Sequence, residues 1–197
     1  MSRLPLSFFA RDVLEVAPDL IGRHLRHGPV VLRITEVEAY RWPGDTACHA
    51  RSGLTVRNAP LWGPPGRAYV YLCYGLHHML NVVTGEDGSA QAVLVRAAEP
   101  VAGLEEIRCR RGGKSGPVLL TGPGKVGQAL ALDTSWSTHP LTRPGGLTVH
   151  EGTPPARMAV GPRVGIDYAE PEHRALPWRF ADADSSWVTH PSLLAPC

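Results

Sequence analysis

Between Tyr69 and Val83 the stretch YVYLCYGLHHMLNVV holds three tyrosines and two histidines, in a chain that is only 7% aromatic. On an extended strand Tyr69 and Tyr71 share one face, and Val70 and Leu72 take the other. Tyr74 stands beside Gly75 at the expected turn, so its ring projects from a tip. Two uses fit the pattern. The rings are either one packed face of a core sheet or a stacking surface with a wedge. In the second case planar groups hold a nucleobase by its π-face, and a protruding ring fills the gap when a base leaves a duplex.

A second group capable of chemistry lies upstream in PVVLRITEVEAY, residues 29–40. As a regular strand it puts Leu32, Ile34, Glu36, Glu38 and Tyr40 on one face, so two acids share the side of two apolar residues. A carboxylate drawn inward is costly unless it is paired or used. Glu36 and Glu38 are then either solvated or salt-bridged at the strand end, or part of a working site. His49, in the loop that follows, is open in the same way: a satisfied polar residue or a catalytic one.

The elements that must carry these residues can be read in outline. Ser7 is placed as the N-cap of a helix over 7–21, in which Phe9, Val13, Leu14 and Val16 recur at mostly helical spacing until Pro18 interrupts. The β-branched run at 29–40 reads as a strand. Residues 41–67 are dense in Gly, Pro and Asn, which predicts a long ordered loop of functional use. A hairpin YVYLC / YG / LHHMLNVVT follows, then a strand in QAVLVRAAEP. GLEEIRCRR reads as a helix, GKSGPVLLTGPG as a loop and KVGQALAL as a further helix start. The tail carries short strands such as LTVHEG and RVGIDY. Few helices among scattered strands, with no βαβ rhythm, indicate an α+β fold with mostly antiparallel pairing.

Composition bounds the partners only weakly. The 197 residues suit one core of ordinary size. A net charge of +2 permits a nucleic-acid partner without requiring one. All basic residues but Lys114 and Lys125 are arginine, a type suited to bidentate phosphate contacts. Cys48, Cys73, Cys109 and Cys197 show no CxxC spacing and read as reduced thiols of an intracellular protein, in the cytoplasm or nucleoid if it is bacterial. The N-terminus lacks a signal-peptide apolar region, and no apolar run approaches the ~20 residues needed to span a membrane.

VEAYRWPGDTACHA, then RNAPLWGPPGRAYVYLCYGLHHMLNVVTGEDGSAQAVLVRAAEP, then LLTGPGKVGQALAL and RVGIDYAEPEHRALPWRF, taken in order, resemble alkyladenine (3-methyladenine) DNA glycosylase of the type without a helix-hairpin-helix. The resemblance runs from the N-terminal helix to about Phe180. It implies a single compact α+β domain over residues 1–197, built on a curved, mostly antiparallel sheet with a hairpin protruding into the minor groove. The implied activity is hydrolysis of the N-glycosidic bond of damaged purines, alkylated or deaminated, flipped out of double-stranded DNA. This would be a monofunctional, monomeric enzyme of base excision repair, with no cofactor or metal and no membrane partner.

By match, Glu38 is the general base that deprotonates the attacking water, and its charge favours the oxocarbenium-like transition state. Arg96 matches the arginine that helps place this water, and the backbone carbonyl of Val164 its third anchor. Tyr40, His49 and Tyr71 match the pocket around the flipped base. Asn81 matches the residue that rejects normal guanine through its exocyclic amine. Tyr74 matches the intercalating wedge. His77 and His78 depart from the vertebrate pattern, which has aromatics there.

Other readings meet specific obstacles. A Walker A loop in LLTGPGKVGQAL needs glycine at Leu119 and Ser or Thr at Val126. A helix-hairpin-helix glycosylase needs a downstream aspartate, and Ser135 to His150 holds no acid. Lys125 remains either a DNA-phosphate contact or part of a plain loop cap. Lyase action needs an amine nucleophile, and neither Lys114 nor Lys125 belongs to the matched pocket. A non-catalytic binder that stacks bases on Tyr71 and Tyr74 stays open, although the YVYLCY run lacks the order of an RNA-recognition motif.

Overall fold

The computed structural model describes residues 1–197. Two short helices, α1 (Leu6–Phe9) and α2 (Val13–Leu20), open the chain. Phe9, Val13, Val16, Ala17 and Leu20 are buried against the sheet. The cap differs from the sequence expectation. Ser7 lies inside α1, and it is Asp12 that caps α2, accepting from Leu14 N at 2.8 Å. Gln91 Oε1 takes the neighbouring Val13 N at 2.9 Å. Pro18 sits in the last turn of α2, where its missing N–H removes one bond and the helix ends two residues later instead of breaking.

The strands are β1 (His24–His27), β2 (Val30–Arg41), β3 (Ala68–Cys73), β4 (His77–Thr84), β5 (Gln91–Ala102), β6 (Thr148–His150), β7 (Met158–Gly161), β8 (Arg179–Asp182) and β9 (Ala195–Pro196). They form one open sheet in the order β3-β4-β5-β2-β8-β7-β9, with β1 joining β2 to β6. Every pairing is antiparallel. The remaining helices are α3 (Leu104–Arg110), α4 (Pro123–Ala129) and α5 (Pro171–Ala175). The α+β class and the antiparallel sheet agree with the sequence reading.

RVGIDY is not a strand. The pairing in that region belongs to β7 and β8, while Arg163 is buried in an ion pair, Val164 N bonds a carboxylate and Gly165 has φ +75°. Helix α4 starts at Pro123, two residues before Lys125, because a proline at the first helical position loses no bond it could have made.

The β2–β5 pair contains the feature that positions the site. Ile34 faces Ala98 and Glu36 faces Ala97, so Thr35 is an extra residue on β2; Val37 faces Val95, so Arg96 is an extra residue on β5. Two bulges, one on each strand, restore the register after shifting both strands by one residue. Side-chain parity reverses at that point. Leu32 and Ile34 enter the main core before the bulge, and Val37 and Ala39 enter it after. Glu36 and Glu38 therefore lie on the face opposite Leu32 and Ile34, contrary to the regular alternation.

The main core fills one face of the sheet, under α2, α3 and α4. The other face is covered by the loop of residues 42–67, which buries Cys48, Ala50 and Leu61 against Tyr69, Val83 and Ala92. Asn58 orders this loop from within: its Nδ2 donates to His49 O and Gly53 O at 3.0 and 2.9 Å, and its Oδ1 accepts from Thr55 N at 2.7 Å.

At the β3–β4 turn Tyr74 and Gly75 both have positive φ, +51° and +69°, and Leu76 N donates to Cys73 O at 3.0 Å. Left-handed backbone at two successive positions matches the twist of the flanking strands. The turn leaves Tyr74 89% exposed and Leu76 77% exposed. Helix α4 braces the second strand: a Cβ at Gly127 would lie 2.0 Å from the His78 carbonyl oxygen. No helix is long and apolar enough to cross a membrane.

Candidate active site

Glu38 projects from β2 just past the paired bulges and is fully buried. Its Oε1 accepts from Val164 N at 2.7 Å and lies 3.2 Å from Arg96 Nη1. Its Oε2 accepts from the Tyr40 hydroxyl at 2.7 Å. Burial, and then the adjacent Glu38 charge, raise the Tyr40 pKa well above the ordinary value, so the phenol keeps its proton and acts as donor. Arg96 is drawn both ways. Burial works against its charge, but Glu38 and Glu36 prevail and its pKa is raised. Val164 thus meets Glu38 through its backbone amide, a contact additional to the carbonyl role that the resemblance implies.

In front of Glu38 lies a cavity of about 150 Å³, lined mainly by aromatic and apolar groups, a size known to accept a flat ring in an engineered protein. Tyr40, His49, Tyr71, Asn81, Arg96, Val164 and Tyr74 all line it. Glu38 does not itself form the wall but stands behind Tyr40, Arg96 and Val164. Tyr69 and Tyr71 do share a face, with ring centroids 5.6 Å apart. His49 meets Tyr71 edge-on at 4.5 Å, and its Nδ1 lies 3.0 Å from the Tyr69 hydroxyl. Burial, followed by the charges of Arg57 and Arg51, lowers the His49 pKa to about 4, so the ring is neutral at neutral pH. Asn81 reaches the cavity from β4, its Nδ2 held by Tyr69 O at 3.1 Å.

Lys125, read from the sequence as a phosphate contact or part of a loop cap, lies outside this cavity. It lies in the first turn of α4, and its pKa is lowered by burial and by nearby Arg111 and Lys114. Pro123, at the start of the same helix, does reach the wall. No three His, Cys, Asp or Glu side chains cluster closely enough to hold a metal ion.

Tyr69, placed beside Tyr71 by its parity, lines the cavity as well. Tyr168, which also lines it, and Arg163 escape the sequence reading. The Arg163 guanidinium makes a buried bidentate pair with Asp45 at 2.6 and 2.8 Å and donates to Ala39 O and His173 O. It also sits 4.6 Å from the Tyr40 ring centroid and 5.0 Å from that of Trp178. One cation therefore fastens the covering loop, β2 and α5 around Tyr40 and sets Val164 beside Glu38. No local pattern joins residues so far apart in sequence.

A buried carboxylate, a base-sized aromatic cavity and an exposed tyrosine turn are parts suited to a DNA glycosylase. The family model described as methylpurine-DNA glycosylase matches residues 7–186. A protein of Nitrosococcus oceani, provisionally named as a 3-methyladenine DNA glycosylase, is 66% identical over 98% of this chain and 96% of its own length. The DNA-3-methyladenine glycosylase of Arabidopsis thaliana is 58% identical over 97% of this chain and 76% of its own. A Carboxydothermus hydrogenoformans protein with the same provisional name is 45% identical over 94% and 98%. The chain belongs to the methylpurine-DNA glycosylase family.

Proposed function

We propose that residues 1–197 act as one monofunctional DNA glycosylase domain on double-stranded DNA, flipping an alkylated or deaminated purine into the aromatic cavity and hydrolysing its N-glycosidic bond. Glu38 takes a proton from water as the water oxygen bonds to the anomeric carbon. The carbon–nitrogen bond breaks and its electron pair leaves with the base. In a cationic alkylpurine that pair neutralises the base's own charge; a neutral purine must also gain a proton. Arg96 and Val164 set the orientation of Glu38, and its negative charge favours the oxocarbenium-like transition state. Tyr40, His49 and Tyr71 hold the base, Asn81 screens its edge, and Tyr74 fills the gap in the stack. Lys125, with Arg111 and Lys114 near it, meets a phosphate.

The observation that carries this reading is the buried Glu38, held by Tyr40, Val164 and Arg96 at the back of the cavity. The test is release of free base from duplexes carrying methylated purines, ethenoadenine or hypoxanthine. Glu38→Gln keeps the size but cannot accept the proton, and the excision rate constant is expected to fall by about 10²–10⁴ with DNA binding retained. Comparable excision by the variant would sink the assignment. Binding without base release by the wild type would favour a stacking module instead.

A further inference from the structure

Glu36 forms no part of the cavity wall and has no task in the chemistry above, yet it is fully buried and heavily bonded. Its Oε1 accepts from Arg96 Nε at 3.1 Å, Arg179 Nη1 at 3.2 Å and Thr189 Oγ1 at 2.6 Å; its Oε2 accepts from Thr189 N at 2.6 Å. Arg96 is held at all three nitrogens: Nε on Glu36, Nη1 beside Glu38 at 3.2 Å, and Nη2 on Thr189 Oγ1 at 3.3 Å. Given Glu38 as the base, we infer that Glu36, Arg179 and Thr189 are positioning residues, which fix the Arg96 fork toward Glu38 and tie the catalytic carboxylate to the C-terminal segment.

Charge accounting supports this assignment. Two carboxylates and two guanidinium groups share a buried interior, and Arg179 offsets Glu36 so that the Nη1 side of Arg96 remains directed at Glu38. The paired bulges make room for the arrangement. Thr35, the extra residue on β2, donates its hydroxyl to Trp187 O at 2.5 Å, and Arg179 Nη1 donates to Thr189 O at 3.0 Å. Residues 187–189 therefore lie across the bulge, beyond the last residue that the family model matches. Past them, β9 pairs with β7 and Cys197 N donates to Met158 O at 2.9 Å, so the segment is secured on its far side as well.

The experiment compares the wild type with Thr189→Val, Thr189→Ser and Glu36→Gln in single-turnover excision of a cationic methylpurine. Thr189→Val removes the hydroxyl and keeps the backbone bond to Glu36. Its rate constant is expected to fall roughly 10-fold, because a displaced reacting group loses up to about 100-fold. The DNA concentration for half-saturation stays unchanged, and Thr189→Ser restores the rate. Glu36→Gln keeps the shape but weakens the hold on Arg96 Nε, and its rate constant is expected to fall by a similar factor with half-saturation unchanged. A wild-type rate in Thr189→Val, a loss that Thr189→Ser fails to restore, or a wild-type rate in Glu36→Gln would each overturn the inference. Absence of excision by the wild type would instead remove the reading of Glu38, and this inference with it.

Discussion

Where β2 and β5 bulge together, Glu36 and Glu38 are fully buried, and every carboxylate oxygen has at least one donor from the protein. At the β3–β4 turn Tyr74 is 89% exposed, with its left-handed backbone closed by a single turn bond. Through Arg96 and Tyr74 the two regions reach the same cavity, but they meet opposite requirements. An ionised group used in a dry site must be oriented before the reaction, because reorganising it during the reaction costs rate. A ring that is to enter a duplex must be uncovered beforehand, because any contact it makes within the protein has to be broken first. Hydrogen-bond donors are concentrated where charge is held, and exposure is greatest at the turn proposed to meet DNA.

The contrast can be broken most directly at Arg163. Arg163→Met leaves Asp45 buried without its counter-ion, and removal of one partner from such a pair typically costs about 3–5 kcal/mol. Urea denaturation should show a loss of that order, and excision should fall as Tyr40 and Val164 lose their support. A loss under about 1 kcal/mol would mean that the back of the cavity is not held as described.

His49, between the two regions, gives the next largest effect. Burial, then Arg57 and Arg51, lower its folded-state pKa to about 4 from an unfolded value of 6.5. Between these values the unfolded chain binds the extra proton and the folded chain does not. Stability from this group is therefore fully present above about pH 6.5 and is lost as pH falls toward 4, by up to about 3 kcal/mol. The slope of unfolding free energy against pH in that window should flatten in His49→Gln. An unchanged slope would show that His49 is solvated in the folded protein.

The difference between the regions also explains what could be read from the sequence. The hairpin is local: Tyr69 and Tyr71 on one parity and Tyr-Gly at the turn follow from chain geometry alone, and the structure has them there. The family motifs likewise led to Tyr40, His49, Arg96 and Asn81, which all line the cavity. The packing behind Glu38 is non-local. A bulge at Thr35 leaves no mark in a run of β-branched residues, so regular alternation put Glu36 and Glu38 on the wrong face. RVGIDY has the composition of a strand, but its backbone is committed to Glu38 and its arginine to Asp45. Tertiary partners override local preference there.

A smaller effect tests how the hairpin is aimed. Gly127 lets α4 approach β4 so closely that an added Cβ would meet the His78 carbonyl oxygen at 2.0 Å. Gly127→Ala must push the helix away, at a cost of about 1–3 kcal/mol typical of overpacking. Because Lys125 shares that helix, the salt dependence of DNA binding should change with it. A variant of wild-type stability would mean that α4 is not seated against the hairpin.

The smallest stability change is expected at the tip itself. Tyr74 has φ +51°, a conformation that costs an ordinary residue about 1–2 kcal/mol and glycine little, while glycine loses roughly 0.5–1 kcal/mol to the greater freedom of its unfolded chain. These terms nearly cancel, and an 89% exposed ring adds little burial. Tyr74→Gly should therefore unfold within about 1 kcal/mol of the wild type. Capture of a flipped fluorescent base should nevertheless weaken by the roughly 1–3 kcal/mol typical of one stacked aromatic. A stability loss of several kcal/mol with capture intact would reverse the contrast, because the ring would then be supporting the fold instead of being held ready for a partner.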